Sequence, residues 1–266
     1  METIGYLASL VIGISLGLIG GGGSILTVPV LVYLFGVDPV LATAYSLFIV
    51  GSTSLIGVIP KYKNGEINVK TAIIFGIPSI ATVYATRAFI VPAIPAELFS
   101  IGNVVVTKAL MMMMIFAVLM VFASVSMIRS NSDNMEEKDG PQVFNYPMIL
   151  LEGAVVGLLT GLVGAGGGFL IIPALVLFSK LPMKQAIGTS LIIIAAKSLI
   201  GFTGDLGKQT MDWTLLAAVT ALAIIGIFIG NALSKKVSAN NLKKGFGWFV
   251  LVMGIYIILK ELFFKS

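Results

Sequence analysis

Two glycine clusters are the residues of this chain best suited to chemistry. One reads Gly20-Gly21-Gly22-Gly23-Ser24 and is followed by Pro29; the other reads Gly164-Ala165-Gly166-Gly167-Gly168 and is followed by Pro173. Each interrupts a hydrophobic run that otherwise reads as membrane helix. A break of that kind exposes backbone polar groups that lipid cannot satisfy, so it must face protein, water or a ligand. A helix beginning at Gly23 or Gly168 leaves its first N–H groups unpaired and carries partial positive charge there, which makes an anion site. Glycine also lets the backbone approach a ligand closely. Two matched breaks facing each other near the bilayer midplane would form a cradle for one anion, as in transporters built from repeats. The competing reading is that the glycines only permit tight helix packing.

Lys197 lies deep in the apolar run Leu191–Gly201. A lysine inside a membrane segment is costly and is a functional hypothesis by default. It would pair with an anionic substrate, and loss of its proton from the empty site would couple transport to protons. The alternatives are snorkelling to an interface, or an ion pair with Glu152, the comparable acid in an apolar segment. Ser46 and Ser190 occupy matching positions, as do Ser54 and Ser198. Their hydroxyls suit sulfonate or carboxylate oxygens, against the alternative of bonding to their own helix backbone. The candidate substrate-binding residues are therefore Gly21, Gly22, Gly23, Ser24, Ser46, Ser54, Gly166, Gly167, Gly168, Ser190, Lys197 and Ser198. Arg87, near the end of its segment, reads as an interfacial anchor. The run Met111–Met114 reads as lipid-facing or gap-filling.

The elements that must position these groups are apolar segments. The chain is 58% hydrophobic and 11% charged, with mean hydropathy +1.05. A soluble domain carries roughly 25% charged residues, so this is an integral membrane protein. With no His and no Cys, haem histidines, thiolate clusters, Cys-x-x-Cys redox motifs and Ser–His proteolysis are excluded, and no cofactor or metal is expected. The net charge of +5 is topological information and does not point to nucleic acid. Apolar segments cover about 4–19, 24–35, 39–59, 69–91 and 104–128, then about 146–163, 168–179, 183–203, 213–234 and 246–263. The second member of each set is too short to span as a helix, since spanning takes ~20 residues. Both read as half-helices or re-entrant segments.

The two sets share one register. Pro29 and Pro173 are 144 positions apart. The same offset pairs Gly13 with Gly157, Gly17 with Gly161, and Ser54-Leu55-Ile56-Gly57 with Ser198-Leu199-Ile200-Gly201. The division is a first membrane repeat over 1–129, a polar linker over 130–144 and a second repeat over 145–266. Lys61, Lys63 and Lys70 flank one connection of the first repeat, whereas Lys235, Lys236, Lys243 and Lys244 crowd a non-equivalent connection of the second. The positive-inside rule then gives the halves opposite orientations. The expected fold is all-α and polytopic, with two inverted-topology repeats of about five apolar segments each and both termini outside.

At these residues the chain resembles the sulfite exporter TauE/SafE family of bacterial and archaeal membrane permeases. The resemblance rests on Gly20–Leu31 and Gly164–Leu175, and on Ala-x-x-x-Ser-Leu at Ala42–Leu47 and Ala186–Leu191. It implies secondary export of small sulfur-containing or organic anions, such as sulfite or organosulfonates, across the cell membrane. A passive anion channel of the same architecture is the alternative. A membrane enzyme is disfavoured by the missing His and Cys and by the lack of paired carboxylates in the apolar segments. A receptor or assembly subunit gains nothing from paired helix breaks. Oligomeric state, exact substrate and coupling ion are not written in the residues.

Overall fold

The computed structural model describes residues 2–101, 104–129, 146–177, 179, 181–208, 210–234 and 239–263; the polar linker at 130–144 lies outside them. The chain is helical almost throughout. Helix α1 (Glu2–Ile19) runs into a 3-10 turn (Gly20–Leu26) and the short α2 (Thr27–Tyr33). Then come α3 (Pro39–Lys63) and α4 (Val69–Ala85), which passes through a π turn (Thr86–Ile90) into α5 (Val91–Ala93). A hairpin of β1 (Glu97–Ile101) and β2 (Val104–Thr107) precedes α6 (Lys108–Arg129). The remainder is α7 (Tyr146–Val163), α8 (Gly168–Leu177), α9 (Met183–Thr203), α10 (Trp213–Leu233) and α11 (Ala239–Phe263).

Local chemistry sets the helix starts. Asp38 accepts from the N–H groups of Val40 and Leu41 with Pro39 at the first helical position of α3, a combination that satisfies orphan donors and presets φ. Asn68 caps α4 through the Thr71 N–H, and Asp212 caps α10 through Thr214 and Leu215. Among the described residues, five stretches are long and apolar enough to cross a membrane: Pro39–Lys63, Val69–Ala93, Lys108–Ser126, Met183–Thr203 and Trp213–Leu233. Large side chains such as Leu7, Ile77, Phe122, Leu151, Phe228 and Val252 are exposed on the outside. Apolar surface of that extent belongs in lipid.

The offset of 144 reappears in the packing. Asn68 and Asp212, the caps of α4 and α10, stand that far apart, as do Asp38 and Pro182, which precede α3 and α9. Helix α1 packs on α10 and α4 packs on α7, while α3 packs on α9, α6 on α11, and the 3-10 turn on α8. Exchanging the halves therefore exchanges the first two contacts and maps the others onto themselves. Single residues obey the same exchange. Gly57 faces Ile227 and Gly201 faces Val83; Gly20 faces Ile187 and Gly164 faces Thr43. Glycine is what allows the close approaches: a methyl on Gly157 would lie 2.6 Å from the Ser79 carbonyl oxygen, and one on Gly17 would lie 2.5 Å from that of Ile227.

Two segments differ from the sequence reading. The apolar run from 104 opens as strand, since Val104-Val105-Val106-Thr107 is entirely β-branched and pairs with Glu97–Ile101. Helix α6 accordingly starts at Lys108. The first glycine cluster does not open a helix at Gly23. Gly20 has a positive φ, of 70°, and the chain continues as a 3-10 turn, with regular helix resuming at Thr27.

Candidate functional site

The second glycine cluster makes a sharp break. Gly164, Gly166 and Gly167 have φ of 73°, 65° and 67°, conformations that other L-residues rarely adopt. Helix α8 then opens at Gly168 as predicted. The N–H groups of Leu170 and Ile171 both reach the Gly167 carbonyl at 3.0 Å. Helix geometry leaves those of Gly168 and Phe169 without an acceptor in their own helix. The positive end of the ten-residue α8 macrodipole is thus centred on Gly167–Phe169. The first half contributes less, because its turn consumes donors and α2 has only seven residues. The two-sided cradle expected from the sequence is electrostatically one-sided.

The clusters nevertheless meet. Gly21 and Gly168 touch backbone to backbone, so a methyl on either would overlap the Cα of the other. A methyl on Gly166 would lie 2.6 Å from the Val50 side chain and 3.4 Å from Ser24 Cβ. Gly21 also abuts Ile194 of α9. Val50 and Ile194 each lie about midway along their helices, so the junction sits near the middle of the α3–α9 crossing.

Lys197 points into this junction. Its side chain is fully buried, and a methyl on Gly167 would lie 2.7 Å from its Nζ. Its one hydrogen bond goes to Thr160 Oγ1, at 3.0 Å. The Thr160 hydroxyl in turn donates to the Val156 carbonyl at 2.6 Å. An ammonium has three donors and no acceptor, so two remain unused. Among the described residues no carboxylate pairs with it; the ion pairs there are Lys61–Glu66 and Arg87–Asp205. Both snorkelling and pairing with Glu152 are thereby overturned. Both Glu152 oxygens are buried without a hydrogen-bond partner. Thr160 and Gly167 border a narrow crevice between α6, α7 and α8, walled by Leu119, Leu159, Val163 and Phe169 and too tight to admit a water molecule.

The structure brings together Gly21, Ser24, Gly166, Gly167, Gly168 and Lys197 from the sequence-derived set. Gly22 lies in the 3-10 turn, and Gly23 faces α1, where a methyl would overlap the Leu16 N–H and Ser15 Oγ. Ser46, Ser54 and Ser198 are fully buried on α3 and α9, with hydroxyls that have no partner. Ser190 donates to the Ile187 carbonyl at 2.8 Å and Ser24 to that of Gly21 at 2.7 Å, so those two follow the backbone-bonding alternative.

Thr160 escaped the sequence reading. It stands where the first repeat has Leu16, a polar replacement in an otherwise apolar run, four residues before Gly164. Thr160→Val keeps the shape and deletes the acceptor. The lysine is then left without a partner, at a cost of about 1–3 kcal/mol for an unsatisfied buried group. We expect a lower detergent melting temperature and an anion KM raised about tenfold, and Lys197→Met in the same background should cancel the stability loss.

Arg87 is not an interfacial anchor. It is fully buried on the π turn, with Nε 2.6 Å from Asp205 Oδ2 and Nη1 2.9 Å from Thr43 Oγ1 and 3.2 Å from the Gly161 carbonyl. Its charge is met within the protein, which separates it from Lys197.

A family model described as sulfite exporter TauE/SafE matches residues 6–257. A probable membrane transporter protein of Xylella fastidiosa is 31% identical over 254 residues, covering 94% of this chain and 92% of the relative. Probable membrane transporter proteins of Methanocaldococcus jannaschii and Bacillus subtilis are 26% and 28% identical, covering 95% and 91% of this chain and 94% and 89% of theirs. No solved structure matches the chain.

Proposed function

The chain belongs to the sulfite exporter TauE/SafE family of membrane transporters, and from that premise we propose that it is a secondary exporter of small sulfur-containing or organic anions, such as sulfite or organosulfonates. The observation that carries the reading is Lys197: a fully buried ammonium with a single neutral hydrogen-bond partner, against the glycine turn that opens α8. A buried cation without a counter-charge is strongly unfavourable, and a bound anion supplies that charge. The α8 N-terminus adds favourable dipole, and glycine leaves room for oxygen atoms close to the backbone. The unpartnered hydroxyls of Ser46, Ser54 and Ser198 line the route along α3 and α9.

Transport follows from the reciprocal halves. In this reading they are inverted repeats in the cell membrane, with both termini outside, and rocking one against the other exposes the anion site to each side in turn. Proton exchange at Lys197 provides the coupling. The test is uptake of sulfite and an organosulfonate into proteoliposomes with and without an imposed pH gradient. Saturable flux that follows the gradient supports a coupled transporter. Flux that rises linearly with concentration and ignores the gradient indicates a channel, and absence of flux for every sulfur anion removes the substrate assignment.

A further inference from the structure

The fold closes its two ends by different chemistry. In the inverted reading proposed above, opposite ends correspond under the 144-residue shift, and the contacts at the two ends can be compared position by position. In both, the turn between the third and fourth helices of one half reaches the third helix of the other: the Asp212 N–H donates to the Tyr45 hydroxyl, and the Asn68 N–H donates to Thr189 Oγ1 at 2.9 Å. Tyr45 and Thr189 are themselves counterparts. Beyond that the ends diverge.

At one end, Arg87 joins four elements of both halves through Asp205, Thr43 and the Gly161 carbonyl. Lys208 locks the same turn from outside, donating to the carbonyls of Arg87 at 3.1 Å and Ala88 at 2.8 Å. At the other end the positions of Arg87 and Asp205 are taken by Asn231 and Lys61. Lys61 pairs at 2.8 Å with Glu66 of its own turn, and both amide atoms of Asn231 are buried without a partner. Among the described residues, then, an ion pair bridges the halves at one end only.

We propose that Arg87–Asp205 is a gating latch: it holds one end shut, parts when that end opens, and biases the resting molecule toward opening at the Asn231 end. The physical ground is that a largely buried ion pair, here with the Arg87 side chain 1% and the Asp205 side chain 10% exposed, adds little stability over apolar packing yet breaks at high cost unless both charges rehydrate. Such a pair therefore favours two states, closed and dry or open and wet. Arg87 is carried on a π turn (Thr86–Ile90), an irregular helical stretch of the kind frequent at functional sites. The latch rests on the two-ended access proposed above but makes no use of the anion site.

The chain has no cysteine, so a single introduced thiol reports without background. Ser46 lies one turn beyond Thr43 on α3, at the latch end, and its counterpart Ser190 lies on α9 toward the other; both are fully buried. The experiment measures the rate at which a water-soluble maleimide modifies Ser46→Cys and Ser190→Cys in nanodiscs, with and without Asp205→Asn. The expected result is reciprocal: modification at position 46 rises about tenfold while that at position 190 falls, because opening one end closes the other. Both rates rising would mean general loosening by a structural ion pair and would overturn the proposal, as would unchanged rates or the opposite pattern. Should Asp205→Asn not fold, Arg87→Met with Asp205→Leu removes both charges together and must give the same reciprocal shift. No anion is present in the assay, so its failure is distinct from failure of the substrate assignment, which flux alone decides.

Discussion

Lys197→Met should abolish anion transport while leaving the protein at least as stable as the parent. The two halves of that expectation come from one fact. In the empty protein the Lys197 amine is buried with one neutral partner, and replacing a poorly satisfied buried polar or charged group by an apolar side chain of similar length is neutral or stabilising. In the loaded protein the same ammonium is the full charge facing the anion. Removing one partner of a buried charge pair costs about 2–5 kcal/mol, so apparent affinity should weaken about 30-fold or more. Flux and detergent melting of one preparation check both parts. A variant that loses transport and melts much lower would return Lys197 to a structural role.

Gly168→Ala should have the largest effect on the fold. Gly168 meets Gly21 backbone to backbone, and the added methyl would overlap the Cα, carbonyl carbon and carbonyl oxygen of Gly21. Backbone cannot yield as a flexible side chain does, so relief requires separating α8 from the opposing turn. Overpacking typically costs about 1–3 kcal/mol and this contact sits at the upper end, corresponding to a melting temperature lower by on the order of 10 °C. Gly245→Ala is the control. It lies inside α11 with open space around it, and alanine there should be neutral or stabilising by up to about 1 kcal/mol. Equal effects at the two positions would mean that the glycine junction does not hold the halves together.

What the sequence made legible was whatever it encodes twice or locally. The register that pairs Gly57 with Gly201 returns in the contacts Gly57–Ile227 and Gly201–Val83, one contact made twice, which the sequence reading did not name. Gly168 opening α8, and Lys197 lying deep within its helix, were readable because each depends on the residues immediately around it. Arg87 was misread because its partners lie at Asp205, Thr43 and Gly161; nothing in its own segment tells a lipid-headgroup anchor from a buried latch. Thr160 was missed for the same reason, since its role exists only where Lys197 of α9 reaches across to α7. The first glycine cluster was read as opening a helix at Gly23, the equivalent of Gly168, yet regular helix resumes only at Thr27; Gly20 takes a positive φ there, against three residues in the other cluster. Composition permits a break; the path of the backbone decides whether one is made.

The central claim is that the chain carries an anion through a site containing Lys197. Counterflow tests it most directly: proteoliposomes preloaded with unlabelled organosulfonate or sulfite are diluted into trace labelled anion, for the parent and for Lys197→Met. The account predicts a transient accumulation of label above equilibrium in the parent, the signature of a carrier that exchanges one bound anion for another, and none in the variant. Label that only equilibrates in the parent, or overshoots equally in folded Lys197→Met, would contradict it.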